Sequence, residues 1–258
     1  MNAAIGIYLR ELGRIGAGSA TVIALPLGLA WAAWARYAGL GPATNVDPTD
    51  AAFRSTALVL AALTVWAAAP ALASERAAGT SALWAISPVR PGAVLVGKVA
   101  ALLTFAAGAG ALLLVPPLWG AFGGADMAWP RLGAGAVGLL ELCLVAASVT
   151  LLASALARHF STAFAWGLGF LCLWVWGNDV LARAAAALGT LLPHSLAPAL
   201  APTLSGVFDP VAGWGGKAVL YPLFLGWVDL GALAGMTGAA VVALVACHQV
   251  VASERWRG

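Results

Sequence analysis

The run VAALLTFAAGAGALLLVPPL, Val99 to Leu118, decides the fold. Twenty consecutive residues without a charge match the helix needed to cross a hydrocarbon layer about 30 Å thick. Five further runs of this kind surround it, at Gly18 to Ala35, Thr56 to Ala73, Leu132 to Leu156, Thr162 to Val180 and Gly226 to Val251. The whole chain agrees with its parts: of 258 residues 62% are hydrophobic and 9% charged, with thirteen basic and ten acidic side chains. Soluble domains carry about 25% charged residues, so this chain cannot dress a globular surface for water. The expected class is an all-α integral membrane protein with six transmembrane helices in a single domain spanning 1–258.

Residues 1–16 read differently. Ile5, Tyr8, Leu9 and Leu12 recur at helical spacing while Arg10, Glu11 and Arg14 fall elsewhere, the pattern of an amphipathic helix lying in the membrane interface. A secretory leader would have an uninterrupted apolar centre, which these charges break, so the N-terminus is expected to be retained. With the N-terminus inside, eight of the thirteen basic residues (Arg10, Arg14, Arg76, Arg90, Lys98, Arg158, Arg255 and Arg257) lie on the cytoplasmic side and five beyond. This bias predicts both termini in the cytoplasm, and the expected location is the plasma (inner) membrane. The loops then divide into a cytoplasmic excursion at 74–98, a short cytoplasmic turn near Ala157 to Ser161, and a long external segment at 181–225. That segment carries Pro193, Pro198, Pro202, Pro210 and Pro222 yet remains apolar, so it is read as re-entrant or capping.

Several motifs mimic chemistry that their context rejects. Gly92 to Lys98 fits G-x-x-x-x-G-K, but Val99 stands where magnesium needs a hydroxyl, and Lys98 reads as an anchor snorkelling from the end of the third span. Gly133, Gly135 and Gly138 spell G-x-G-x-x-G inside an apolar helix, where small residues mean close helix packing, as do Gly231 and Gly235. Cys143, Cys172 and Cys247 lack paired spacing and read as packing residues. His159, His194 and His248 form no metal motif, no G-x-S-x-G is present, and the dispersed positive charges offer no nucleic-acid footprint. The chain is therefore not expected to be an enzyme by itself or to hold a metal or other cofactor. Glu141, deep in the fourth predicted span, is either a contact on a substrate path or a packing glutamate bonded inside the bundle. Asp229, near the outer end of the last span, and Asp179 with Arg183 after the fifth are read as interfacial capping or ion-pair residues.

The excursion at 74–98 is the most informative stretch. Thr80 after Gly79 signals a helix start and Ser87-Pro88 a stop, giving about two turns of helix with Leu83, Trp84 and Ile86 as an apolar knob. The string Glu75-Arg76-Ala-Ala-Gly79-Thr80, followed by Leu83, Ser87-Pro88-Val89 and Gly97-Lys98, resembles the signature of type-2 ABC permeases, the six-span membrane subunits of ATP-binding-cassette exporters. Ser154-Ala-Leu156-Ala-Arg158 is similar to that family's second marker between spans four and five, and Tyr8 to Leu12 to its opening amphipathic helix. Leu204 to Asp209 is similar to a segment of the gliding-motility-associated branch, which with the copper-maturation branch is nearest; Trp84 and Ala85 depart from the family's usual residues.

What this resemblance implies is a permease subunit paired with a second permease chain, identical or related, and with a cytosolic ATPase dimer that alone binds ATP and magnesium. Glu75, Arg76, Gly79, Thr80, Leu83, Trp84, Ile86 and Pro88 would then form the coupling helix that the ATPase moves. Membrane lipid is the surrounding partner, and an extracytoplasmic partner on 181–225 stays open. Two alternatives accompany this reading. One is a scaffold that transmits force to such a partner without cargo, and the other an intramembrane enzyme built around Glu141.

Overall fold

The structure, a computed structural model, describes residues 3–18, 28, 48–80, 89–121, 129–191, 220, 223 and 227–253. Every element among them is helical. In chain order they are α1 (Ala3–Ala17), α2 (Pro48–Ala68), α3 (Pro70–Ala77), α4 (Pro91–Ala121), α5 (Trp129–Leu156), α6 (Phe160–Leu191) and α7 (Leu230–Ala252). Among the described residues four stretches are long and apolar enough to cross a membrane: Thr56–Ala77, Pro91–Val115, Leu132–Leu156 and Leu230–Ala252. The first predicted span lies outside the described residues apart from Gly18 and Gly28. A Cβ on Gly28 would stand 2.8 Å from Val59 and 3.2 Å from Leu113, so that point of the chain sits against α2 and α4. The fifth predicted span falls on α6, which continues as helix to Leu191, into the segment expected to be external loop.

Proline and glycine set the helix boundaries. Pro91 opens α4 at the position where a missing N–H does no harm, so Gly92 to Lys98 are its first turns and not a loop. The G-x-x-x-x-G-K string therefore has no phosphate-cradling geometry, and helix α4 begins at Pro91, inside the loop expected over 74–98. Pro70 breaks the second span, separating α2 from the eight-residue α3. Of the two roles expected for Asp229, the structure shows the cap: its carboxylate accepts from the N–H groups of Gly231 at 2.8 Å and Ala232 at 3.1 Å at the start of α7.

Helix α5 is the centre of the bundle, touching α2, α3, α4, α6 and α7. Around its first half lies an apolar core that includes Phe53, Leu60, Leu113, Leu142 and Leu223. A second core around its last turns joins Ile15 of α1 to Leu72, Leu102, Leu151 and Cys247. The glycine string works by close approach: a Cβ on Gly135 would sit 2.5 Å from the Phe53 ring, and one on Gly138 3.0 Å from Leu223. Gly231 shows no such approach among the described residues, where a Cβ would meet only the cap carboxylate of Asp229. Cys143 and Cys247 are buried packing residues, as expected.

Candidate functional site

Gly97 and Lys98 place the polar site. Because Gly97 has no side chain, α1 comes close enough that a Cβ there would stand 2.8 Å from the carbonyl oxygen of Ala4 and 3.0 Å from Ile7. Lys98, one residue on, is 1% exposed. Its ammonium donates to Glu11 Oε1 at 2.7 Å, to the Ala71 carbonyl at 2.7 Å and to Glu75 Oε1 at 3.1 Å. Three protons meet three acceptors, which is the condition for keeping a charged amine out of water. The expected snorkelling anchor is thus overturned: Lys98 points into the bundle because two carboxylates wait there.

Glu11 completes the cluster from α1. Its Oε2 accepts from Arg14 Nε at 2.7 Å, and Arg10 donates to both Glu11 and Glu75. Arg14 also reaches the carbonyl of Ala67 at 3.3 Å. Burial alone would push the Glu11 carboxyl up, but Lys98 and Arg14 outweigh it and hold the group below the ordinary carboxylate range. Helix α1 forms where the periodicity places it, with an inward-facing acid added. Glu11 and Ile15 are its buried residues, whereas Ile5 and Leu9 lie on the outside, 46% and 54% exposed. The helix is rolled so that its acid meets Lys98, and the apolar stripe is divided between bundle and surroundings.

The Glu75-Arg76-Ala-Ala-Gly79-Thr80 string is the closing turn of α3. Gly79 takes φ +69°, its N–H donates to the Arg76 carbonyl at 3.1 Å, and the Thr80 N–H donates to the Glu75 carbonyl at 3.0 Å. This 5→2 and 6→1 pair is a Schellman stop, for which glycine is the residue that takes a left-handed conformation without steric cost. The hydroxyl of Thr80 donates to the same Glu75 carbonyl at 3.1 Å, so its described bonds close the helix before it. Arg76 Nη1 donates to the carbonyls of Ala155 at 2.7 Å and Leu156 at 3.3 Å, satisfying open acceptors at the C-terminus of α5.

Ser154 stands beside it at the Pro70 break. Its fully buried hydroxyl accepts from the N–H groups of Leu72 at 3.0 Å and Ala73 at 2.8 Å and donates to the Ala69 carbonyl at 2.7 Å. Residues 75, 76, 98 and 154, far apart in sequence, are thereby gathered around α3.

Of the expected coupling residues, Glu75, Arg76, Gly79 and Thr80 are seen in these contacts; Leu83, Trp84, Ile86 and Pro88 lie outside the described residues. Glu141 is separate. Its Oε1 accepts from the Thr237 hydroxyl of α7 at 3.1 Å, while Oε2 is buried with no hydrogen-bond partner among the described residues. Sequence reasoning missed Glu11, Arg10, Arg14 and Ser154 as site residues; the available hint was a Gly-Lys pair at a helix start, whose glycine marks a close neighbour. Among the described residues no group of histidine, cysteine and carboxylate side chains could hold a metal ion. The arrangement is an electrostatic and hydrogen-bonded joint between α1, α3, α4 and α5. Compared with protein-family models and with curated proteins, the chain matches none.

Proposed function

We propose that this chain is the membrane-spanning permease subunit of an ATP-binding-cassette complex, carrying motion from a separate cytosolic ATPase dimer into the bilayer. The reading takes six spans with both termini in the cytoplasm, a second permease chain, and ATP with magnesium held by the partner alone. One observation carries it. The two strings that resemble the type-2 permeases, Glu75 to Lys98 and Ser154 to Arg158, converge on one joint around α3.

That joint has the mechanical property a coupling segment needs. Residues 81–88 leave α3 directly after the Thr80 stop, and α3 is fixed to α1 and α4 through Lys98 and to α5 through Arg76 and Ser154. A push on 81–88 therefore loads several helices at once. Within this reading Glu75 and Arg76 are anchors, their side chains engaged inside the chain, and Leu83, Trp84 and Ile86 supply the knob that enters a groove on the ATPase.

The test is recovery of the tagged chain in mild detergent, with mass spectrometry of its companions and an ATPase assay of the eluate. The expected result is a co-purifying cytosolic ATP-binding-cassette protein whose stimulated hydrolysis is lost in Trp84→Glu. Recovery of the chain alone, without ATPase activity in any detergent or nanodisc, overturns the proposal. An external protein in the same eluate would direct the work toward force transmission, its absence toward export.

A further inference from the structure

The break at Pro70 raises the question of which helix holds α3 in place. Pro70 has no N–H to donate, and its ring opposes the carbonyl of residue 66, so the hydrogen-bond ladder between α2 and α3 is interrupted. Across this gap stands Ser154 of α5, whose one hydroxyl serves Leu72 N, Ala73 N and Ala69 O. One full α3 turn later Arg76 grips the carbonyls of Ala155 and Leu156 on the same helix. Small residues close the seam: Ala69 and Ala73 pack with Ala157 and Ala163 at the α5–α6 turn, each buried. Every described polar tie of α3 to the C-terminal end of α5 is thus made within three consecutive residues, Ser154 to Leu156.

We propose that Ser154 is a latch that makes α3 mechanically the end of α5, so that displacement of 81–88 passes into the fourth predicted span while the Pro70 break acts as the hinge against α2. This deepens the permease reading and rests on it for the source of the displacement. Ser154 is here a positioning residue: it touches neither nucleotide nor cargo, and acts by fixing the direction in which α3 leaves the break.

Two measurements test it, on the full chain in nanodiscs with its ATPase partner. First, amide exchange at Leu72 and Ala73 should rise about tenfold or more in Ser154→Ala, the scale of losing one well-formed hydrogen bond, while exchange in α4 stays as it was. Second, in a background lacking Cys143, Cys172 and Cys247, spin labels at Ala78 and His159 report the end of α3 against the turn that closes α5, and labels at Ala78 and Leu58 report the end of α3 against α2.

Switching the ATPase between its nucleotide-free and trapped nucleotide-bound states should leave the first distance constant and change the second. Ser154→Ala should broaden the first distribution. Should that variant not fold, Arg76→Gln removes the other tie to α5 and should broaden the same distribution. Unchanged exchange in Ser154→Ala, or an Ala78–Leu58 distance that stays fixed while Ala78–His159 moves, overturns the latch. If no ATPase is recovered the permease reading falls, and exchange in the chain alone still decides whether Ser154 holds the break.

Discussion

The two halves of α5 meet their neighbours by opposite means. Near its start the contacts are made by what is missing: Gly135 leaves room for the Phe53 ring and Gly138 for Leu223. Near its end they are made by polar atoms, with Ser154 in the Pro70 break and Arg76 on the last carbonyls. In lipid the tails are as apolar as leucine, so steric fit supplies much of the cohesion of the first half. Around the second half charged groups gather, and the cluster of Lys98, Glu11, Glu75, Arg10 and Arg14 adds attraction that falls away if one partner is lost.

The sharpest way to break this contrast is Lys98→Met. The variant keeps the length of the stem but leaves Glu11 and Glu75 facing each other without the ammonium between them. Removing one partner of a buried ion pair costs about 3–5 kcal/mol, so folded yield and thermal midpoint in detergent should drop more than for any single change in the apolar half. Adding Glu11→Gln to Lys98→Met should recover part of the loss, since the stranded charge goes with it. A midpoint within a degree of the parent would mean that the cluster is open to water.

The clamp also has a pH signature with a definite sign. Glu11 is held below its ordinary range chiefly by Lys98 and Arg14, against the opposing effect of burial. Its contribution is therefore complete above the unfolded carboxylate value, near 4.5, and is lost as pH falls through the lower folded value. Thermal midpoints followed from neutrality into acid should show the parent falling toward Glu11→Gln at the acid end, while the two stand apart at neutral pH. Parallel curves would remove Glu11 from the clamp.

This difference between the halves also explains what could be read in advance. Long apolar runs announce helices because hydropathy accumulates over twenty residues, and four of them are apolar helices of spanning length. Gly135 and Gly138 were legible as packing residues, since a short glycine spacing on a helix has few other uses. Asp229 was legible as a polar residue at the end of a span, with cap and ion pair both open, and the cap is the role the local geometry fills. Lys98 was not legible. At the edge of an apolar run it has the same sequence context as a snorkelling anchor, and its carboxylate partners lie 87 and 23 positions away. For the same reason the periodicity of α1 gave the helix but not its roll: apolar spacing counts Ile5 and Leu9 and says nothing of an acid drawn inward. Thr80 reads in sequence as a helix start; its described bonds close the preceding helix beside the left-handed Gly79, and residues 81–88, which would carry the next helix, lie outside the described residues.

Gly135→Ala tests the apolar half with a smaller stake. The new methyl would begin 2.5 Å from Phe53 Cζ, and Phe53 is only 1% exposed, so the ring has little room to withdraw. Overpacking of this kind costs about 1–3 kcal/mol, and Phe53→Leu in the same chain should return part of it. Gly133→Ala is the control, since nothing among the described residues lies within 4 Å of that position. Equal midpoints for the two alanine variants would show that the glycines near the start of α5 do not set its distance from α2.

The smallest effect is expected at Glu141, where the two halves of the comparison meet in one residue: an acid placed among steric contacts. Unlike Glu11 it has no described cation to lose, only the Thr237 hydroxyl donating to Oε1 at 3.1 Å. Glu141→Gln preserves the side-chain shape and an acceptor for that hydroxyl. Thr237→Val deletes the bond from the other side, and polar contacts of this kind between membrane helices average about 0.6 kcal/mol. Both variants should therefore unfold within about 1 kcal/mol of the parent, with a small coupling between them in a double-mutant cycle. A loss of several kcal/mol in Glu141→Gln alone would mean that the negative charge itself is held in place by a group beyond Thr237. That outcome would move Glu141 from the steric half of the molecule into the electrostatic one.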